Sequence, residues 1–242
     1  MGTLIFDIET VGDEWESFDE ITKAGLTRWI DRSATDDLTK SLQLKDLKEN
    51  LGFSPLTGKV VAIGLYDLER RQGAVYYTGE AEEDEEVGEY VLKVRSEKEM
   101  LEDFWEGAKS YDTFVTFNGR CFDVPFLLHR SVAHNIKPTV DLMLNRYLNL
   151  QKQHRHIDLQ DQLTFYGAMY RKPSLHLFCR AFGIVSPKVQ GVSGDDVAGL
   201  FKQKKYLEIA RYNVGDVVAT TELYQKWLEY LAPIDYLNDY ID

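Results

Sequence analysis

The chain enters an apolar run at once, Thr3-Leu4-Ile5-Phe6, and then alternates acid with aliphatic through Asp7, Ile8 and Glu9. This pattern predicts a strand over Thr3 to Glu9. Strand side chains alternate faces, so Asp7 and Glu9 project to one side while Phe6 and Ile8 go to the other. Any fold that buries this strand must hold two carboxylates in one small volume. Left alone they repel and raise each other's pKa; a hard divalent cation such as magnesium or manganese relieves this by taking both as oxygen ligands. Spacing alone does not decide, because Asp67 with Glu69 and Asp84 with Glu86 repeat it. The first of these pairs closes a strand at a polar turn, and the second falls in the acidic run Glu80 to Glu89, read as a solvated loop. For Asp7 and Glu9 a plain polar strand end stays open as the alternative.

Two later stretches supply partners. From Phe114 to Leu128 a strand runs into a turn at Asn118-Gly119 and then a helix, with Pro125 in its first turn and Asp123 at or near its N-terminus. Asp123 is then either a helix cap or a carboxylate presented from the end of a strand, where active sites of open α/β sheets lie. Phe122 beside it either stacks on a base or is simply buried. A long helical pattern from about Lys204 to Leu231 carries Tyr212 and Asp216 four residues apart, on one face and one turn from each other. Such a pair arises by chance about once in a chain this rich in tyrosine and aspartate, so its position after the other two motifs is what gives it weight.

In this order the residues resemble the signature of the DEDD superfamily of 3′–5′ exonucleases, four carboxylates in three motifs, in its tyrosine-bearing subgroup, DEDDy. Over nearly its whole length the chain is similar to the branch of predicted exonucleases related to the proofreading domain of B-family DNA polymerases. Val60-Val61-Ala62-Ile63-Gly64-Leu65, the stretch His156 to Asp161, and Gly194 to Leu200 match that branch as well. The resemblance implies an α/β, ribonuclease H-like fold, a mixed central sheet flanked by helices, in one domain over residues 1–242. It implies catalytic roles for Asp7, Glu9, Asp123, Tyr212 and Asp216, and two Mg2+ or Mn2+ ions held by Asp7, Glu9, Asp123 and Asp216. One ion, on Asp7, Glu9 and Asp216, would activate a water; a second, sharing Asp7, would stabilise the departing 3′ oxygen. Asp123 would act mainly through water, and Glu9 would also accept a hydrogen bond from the terminal 3′ hydroxyl. Tyr212, with an ordinary pKa of about 10, suits orientation better than strong-base work. The implied partners are 3′ ends of single-stranded DNA or RNA, DNA slightly favoured. A catalytically inactive nucleic-acid-binding domain of the same fold is the alternative, and the intact five-residue set argues against it. A metalloprotein that only binds ions is a third reading.

Two positions depart from the branch. Asn213 follows Tyr212 where relatives often have cysteine, and Cys121 stands in the Asn118 to Asp123 turn where they often have glycine. Cys121 is read as a small buried thiol, with the alternative that a cysteine beside a metal site makes activity sensitive to oxidation. His156 beside Asp158 is not read as a metal pair, since hard cations prefer oxygen; Asp158 is expected to support the sheet end.

A net charge of −12 repels polyanions. Its distribution is uneven: residues 1–119 carry a net −14, residues 120–211 a net +7 and residues 212–242 a net −5. The basic third holds Arg146, Lys152, Arg155, Arg171, Lys172, Arg180 and Lys188, interleaved with Tyr147, His154, His156, Phe165, Tyr166 and Tyr170. Cations for phosphates with aromatics for bases suit a strand-binding groove, and an ordinary solvated surface over core aromatics is the alternative. Asn118, Phe122, Arg155 and Lys188 are the substrate contacts selected.

With 242 residues and 44% hydrophobic content the chain needs no disulfide to build a core. Cys121 and Cys179 lack zinc-like spacing, and no signal peptide or membrane-length apolar run is visible, so a reduced cytoplasmic setting is expected, with no membrane and no assigned protein partner. The absence of an attached polymerase domain suggests a stand-alone repair or turnover enzyme. Elsewhere the pattern predicts a polar helical excursion from about Asp13 to Asn50, strands at Val60 to Tyr66, Ala74 to Tyr77 and Tyr90 to Val94, and a helix from Ser96 to about Lys109 opened by a Ser96/Glu99 capping box. A helix to about Asn135, an extended piece at His156 to Leu159, helices at Asp161 to Gly167 and Leu175 to Phe182, and a flexible turn at Gly191 to Gly194 follow.

Overall fold

Alternating aliphatic runs build the frame. A computed structural model describes residues 2–80, 84–186, 194–233 and 236. Its seven strands are β1 (Thr3–Gly12), β2 (Gly58–Asp67), β3 (Gln72–Tyr77), β4 (Glu85–Val87), β5 (Tyr90–Val94), β6 (Thr113–Thr116) and β7 (Arg155–Asp158). They form one sheet in the order β4-β5-β3-β2-β1-β6-β7. β1 runs antiparallel to β2 and parallel to β6, and β6 runs parallel to β7, so the sheet is mixed.

The helices are α1 (Glu20–Ser33), α2 (Asp37–Glu49), α3 (Glu97–Ala108), α4 (Asp123–Ala133), α5 (Leu159–Leu163), α6 (Leu175–Phe182), α7 (Val197–Lys202) and α8 (Tyr206–Tyr230). The capping box is present: Ser96 accepts from the Glu99 backbone while Glu99 returns a bond to Ser96. The period of two along β1 divides the core. Leu4, Phe6 and Ile8 pack with α3 and α4 through Phe104, Trp105, Val124 and Leu127, whereas Ile5 and Val11 join the cluster around α8. Asp7 and Glu9 therefore lie on the α8 face.

Several expectations change in detail. β1 does not stop at Glu9; it continues to Gly12, with an irregularity in pairing between Glu9 and Thr10, so the two carboxylates sit in mid-strand. The acidic run is not only a loop, because Glu85–Val87 pairs with β5 as an edge strand, its charged side chains suiting an unpaired edge. The helix expected at Asp161 to Gly167 begins two residues earlier, where Asp158 accepts from the Gln160 and Asp161 backbones, and ends at Leu163. Its continuation is broken by left-handed backbone at Phe165, Tyr166 and Gly167. The turn expected at Gly191 to Gly194 lies, except for Gly194, outside the described residues. No helix among the described residues is long and apolar enough to cross a membrane.

Candidate active site

The pairing of β1 with β6 ends at Ile5 and Val115. Beyond that point the Ile8 amide lacks a strand partner, and Asp123 takes the place of one: Ile8 N donates to Asp123 Oδ1 at 3.0 Å. Asp123 is the first residue of α4, and Phe122 at the cap position makes no side-chain cap bond. The backbone of the preceding turn is fixed from β7. Asp158 accepts from Asn118 N at 2.9 Å and Arg120 N at 3.0 Å while capping α5. Asn118 is left-handed, a conformation asparagine tolerates, and a Cβ on Gly119 would stand 2.3 Å from Thr116 Oγ1. Asp158 thus supports the sheet end, as expected. His156 is a neutral core histidine, bonded to Thr116 and Leu142 and pushed down to about 4 by burial.

α8 brings the third motif over β1. Oxygens of Asp7, Glu9 and Asp216 lie within 4.8 Å of one another, the one such cluster of three found among the described residues. Asp123 stands outside this trio but feels it. Burial first, then the charges of Asp123, Asp216 and Glu9, hold Asp7 well above the usual carboxylate range. Glu9 is raised in the same way, by burial and then Asp216. Asp123, 3% exposed, is pushed up to about 7, chiefly by burial, with Asp158 and Asp216 adding to it. Tyr212 lies beside them, and burial followed by the Asp216 charge raises its phenol far above ordinary, so it keeps its proton.

Asn213, singled out in the sequence only as a departure, is fully buried and donates from Nδ2 to Asp7 Oδ2 at 2.8 Å. Its Oδ1 has no hydrogen-bond partner and points at Gly64, the residue opposite Asp7 on β2, where a Cβ would stand 2.2 Å away. A glycine inside a β-branched strand signals close backbone approach, and here it admits α8. The sequence held that signal at Gly64 and held Asn213 three residues before Asp216, on the same helical face.

The other expected residues scatter. Phe122 is half-buried and packs edge-on against Phe53 at 6.3 Å and on Phe126 at 5.5 Å. Arg155 opens β7 in register with Thr113, at the end of the sheet opposite the carboxylates, and its guanidinium stacks over Tyr236 at 5.0 Å. Lys188 lies outside the described residues. Arg146, read as a groove cation, is bound by Asp161 at 2.8 Å. Cys121 is exposed rather than buried, because its turn is held by backbone bonds such as Cys121 N to Asn118 O, which leave the side chain outside. Asp67 and Glu69 have structural duties, accepting from Tyr111 and from Thr3 N. A cleft of about 650 Å³ opens past the end of β1, but in its lining Asp13, Glu14, Glu16, Asp46 and Glu49 outnumber Lys48 and Lys202, and the three clustered carboxylates are not part of it. So acidic a wall repels phosphate, which leaves the carboxylate cluster as the candidate centre.

Residues 56–238 match the family described as predicted 3′–5′ exonuclease related to the exonuclease domain of PolB. The chain belongs to this family. It is accordingly an enzyme of the 3′–5′ exonuclease class, and the matched span begins after β1, so Asp7 and Glu9 precede it. Among solved structures, the family B DNA polymerase from the hyperthermophilic archaeon Pyrobaculum calidifontis is similar with a TM-score of 0.57 and 18% identity, over 94% of this chain and 24% of that one. The chain therefore spans about a quarter of that polymerase, and the likeness carries the fold: a mixed sheet with flanking helices of the ribonuclease H-like kind.

Proposed function

We propose that this chain removes nucleotides from the 3′ end of single-stranded nucleic acid, DNA slightly in preference to RNA, by a two-metal-ion reaction of the DEDDy type. The observation that carries the reading is the convergence of Asp7, Glu9 and Asp216 from two distant elements into one partly buried cluster. An all-oxygen donor set fits a hard divalent cation, and the upward push on Asp7 and Glu9 is the penalty a cation relieves. Asp7, Glu9 and Asp216 would hold one ion, with Asp7 shared towards a second near Asp123. When bound, such ions make water acidic enough to attack at neutral pH and offset charge on the leaving oxygen.

The remaining work falls to the chain. Asn213 fixes one oxygen of Asp7 and leaves the other towards the site. Tyr212, held protonated, donates a hydrogen bond to the attacking water or to a phosphate oxygen. Asp123, tied by one oxygen to Ile8 N, offers its second oxygen to solvent-borne contacts. Glu9 accepts from the terminal 3′ hydroxyl, which enforces attack from an end. Water oxygen bonds to phosphorus, the P–O3′ bond breaks, and a 5′-mononucleotide leaves while the shortened strand regains a 3′ hydroxyl.

The test uses 5′-labelled single-stranded DNA and RNA with manganese, magnesium or chelator on a denaturing gel. A metal-dependent ladder shortening from the 3′ end is expected, lost in Asp7→Ala with strand binding partly kept. Full-rate hydrolysis by Asp7→Ala would refute the assignment of the site, and tight binding without cleavage under every condition would favour an inactive binding domain.

A further inference from the structure

From the end of α5 the chain climbs through Thr164 to Lys172 and presents aromatic rings to solvent. Phe165 is 59% exposed and Tyr170 97%, and Tyr147 beside them is 47% exposed. Arg171 and Lys172 follow directly, both exposed. Single exposed rings are ordinary, but here they accompany two exposed cations on one short segment, in the one third of the chain whose net charge is positive.

The rings are held out by a built device. Phe165, Tyr166 and Gly167 have successive φ values of 51°, 57° and 92°. Left-handed backbone at two consecutive aromatic residues is unfavourable and persists only where surroundings impose it. The surroundings are visible: Tyr166 N donates to Asp161 O at 2.7 Å and Met169 N to Thr164 O at 3.2 Å. The Tyr166 ring turns inward onto Tyr147 at 4.7 Å, and its hydroxyl accepts from Gln162 at 3.0 Å. Tyr166 thus acts as the anchor, and Phe165 and Tyr170 are the rings displayed.

The device is tied to the reaction centre. Asp158 caps α5 and also holds the Asn118 and Arg120 amides of the turn that delivers Asp123. α5 has only five residues, so the displayed rings stand about one and a half helical turns beyond that junction. The segment that carries them thus follows directly in the chain from the junction that fixes the Asp123 turn.

We infer that Phe165, Tyr170 and Tyr147, with Arg171 and Lys172, form a stacking ledge for the bases of single-stranded nucleic acid a few nucleotides upstream of the 3′ end being cut. The inference rests on the proposed exonuclease reading and adds where the strand lies. Aromatic faces accept any base, and the two cations take the phosphates between them, which suits an enzyme that must advance along a strand irrespective of sequence.

The test compares wild type with Phe165→Ala/Tyr170→Ala on a 5′-labelled trithymidylate and a dodecathymidylate, by steady-state kinetics with manganese and by fluorescence anisotropy in chelator. Loss of one stacked base corresponds to roughly tenfold in affinity or more. The variant is expected to raise KM and Kd for the long strand at least tenfold more than for the short one, with kcat retained. Phe165→Asn, which suits the left-handed backbone, should weaken long-strand binding with an undiminished Tm, separating contact from folding. Arg171→Ala/Lys172→Ala should lower the slope of log affinity against log salt by about 1.4, two single-strand phosphate contacts. Equal effects on both lengths, or unchanged long-strand affinity in folded variants, would overturn the ledge. A wild type that binds the long strand through these rings yet cuts neither oligomer would refute the exonuclease reading alone.

Discussion

Removing divalent ions should invert the usual pH dependence of stability near neutrality, and Asp123 sets the scale. Its carboxyl is pushed from 3.8 to about 7 in the folded protein, mainly by burial. Between those values the folded state holds a proton that the unfolded chain has released, so stability falls as pH rises. Each pH unit in that window is worth about 1.4 kcal/mol, and the slope halves near pH 7, so Asp123 alone removes roughly 2 kcal/mol between pH 5 and 7. Asp7 and Glu9 are shifted in the same direction and add to the loss. Glu97 has the opposite sign, but its shift is downward from 4.5, so its contribution is already complete above that pH; His156, pushed down from 6.5 to about 4, also has the opposite sign and returns roughly 2 kcal/mol across the same window, which leaves the net slope to Asp7 and Glu9. For a chain of this length about 2 kcal/mol is roughly 4–8 °C in Tm. Thermal and urea unfolding in chelator should thus show wild type losing roughly 2 kcal/mol relative to Asp123→Asn between pH 5 and pH 7, a comparison from which His156 cancels. Manganese at a hundred times its Kd should return about 2.7 kcal/mol at pH 7 by binding the folded state alone. A slope unaltered in Asp123→Asn would refute the argument that the site is held by burial against mutual repulsion.

Three further outcomes follow from contacts described above. Tyr212→Phe should cut kcat by about a hundredfold, the scale of a mispositioned reacting group, while oligonucleotide affinity in chelator is retained; unaltered kcat would remove the phenol from the reaction. Asn213→Ala, which deletes the donor to Asp7, should raise the manganese concentration for half-maximal binding by about tenfold in calorimetry, with little loss at saturating metal. Glu97 receives both Arg130 and His134 in a largely buried ion pair that joins α3 to α4, and Glu97→Gln should destabilise the fold by about 3 kcal/mol in urea, whereas a change under 1 kcal/mol would mean that water already shares that pair.

The sequence made the carboxylates visible because each has a local marker. Asp7 and Glu9 interrupt an aliphatic alternation, Asp123 follows turn chemistry, and Asp216 sits one helical turn after Tyr212. What it hid are contacts set by tertiary placement. The hydrogen bond from Asn213 to Asp7 joins residues 206 apart, and nothing in either neighbourhood prescribes it. The same holds for Asp158, whose two bonds to the Asn118 turn exist only because β7 lies beside β6. Cations were misjudged for a related reason. Composition showed a basic third, but only packing reveals that Arg146 is spent on Asp161 and Arg155 on Tyr236, at the far end of β7. The unpredicted end of α5 has a local cause, three left-handed residues that hydrophobic periodicity does not register.

The charge of the whole molecule then acquires a direction. A net −12 is an obstacle to a nucleic-acid enzyme only if the charge is spread evenly, and here it is not. Around the end of β1 the walls are acidic, with Asp13, Glu14, Glu16, Asp46 and Glu49 about one cleft. Beyond β7 the surface carries exposed Arg171 and Lys172 beside exposed rings. On the proposed reading, a polyanion would be repelled from the first side and attracted to the second, so a strand reaching the carboxylates would arrive across the α5 side. Cations bound at Asp7, Glu9 and Asp216 would deepen that asymmetry by neutralising the carboxylates between the two regions. The same acidic walls that weaken non-specific binding would thereby favour a strand whose end has reached the metal over one that merely lies on the surface.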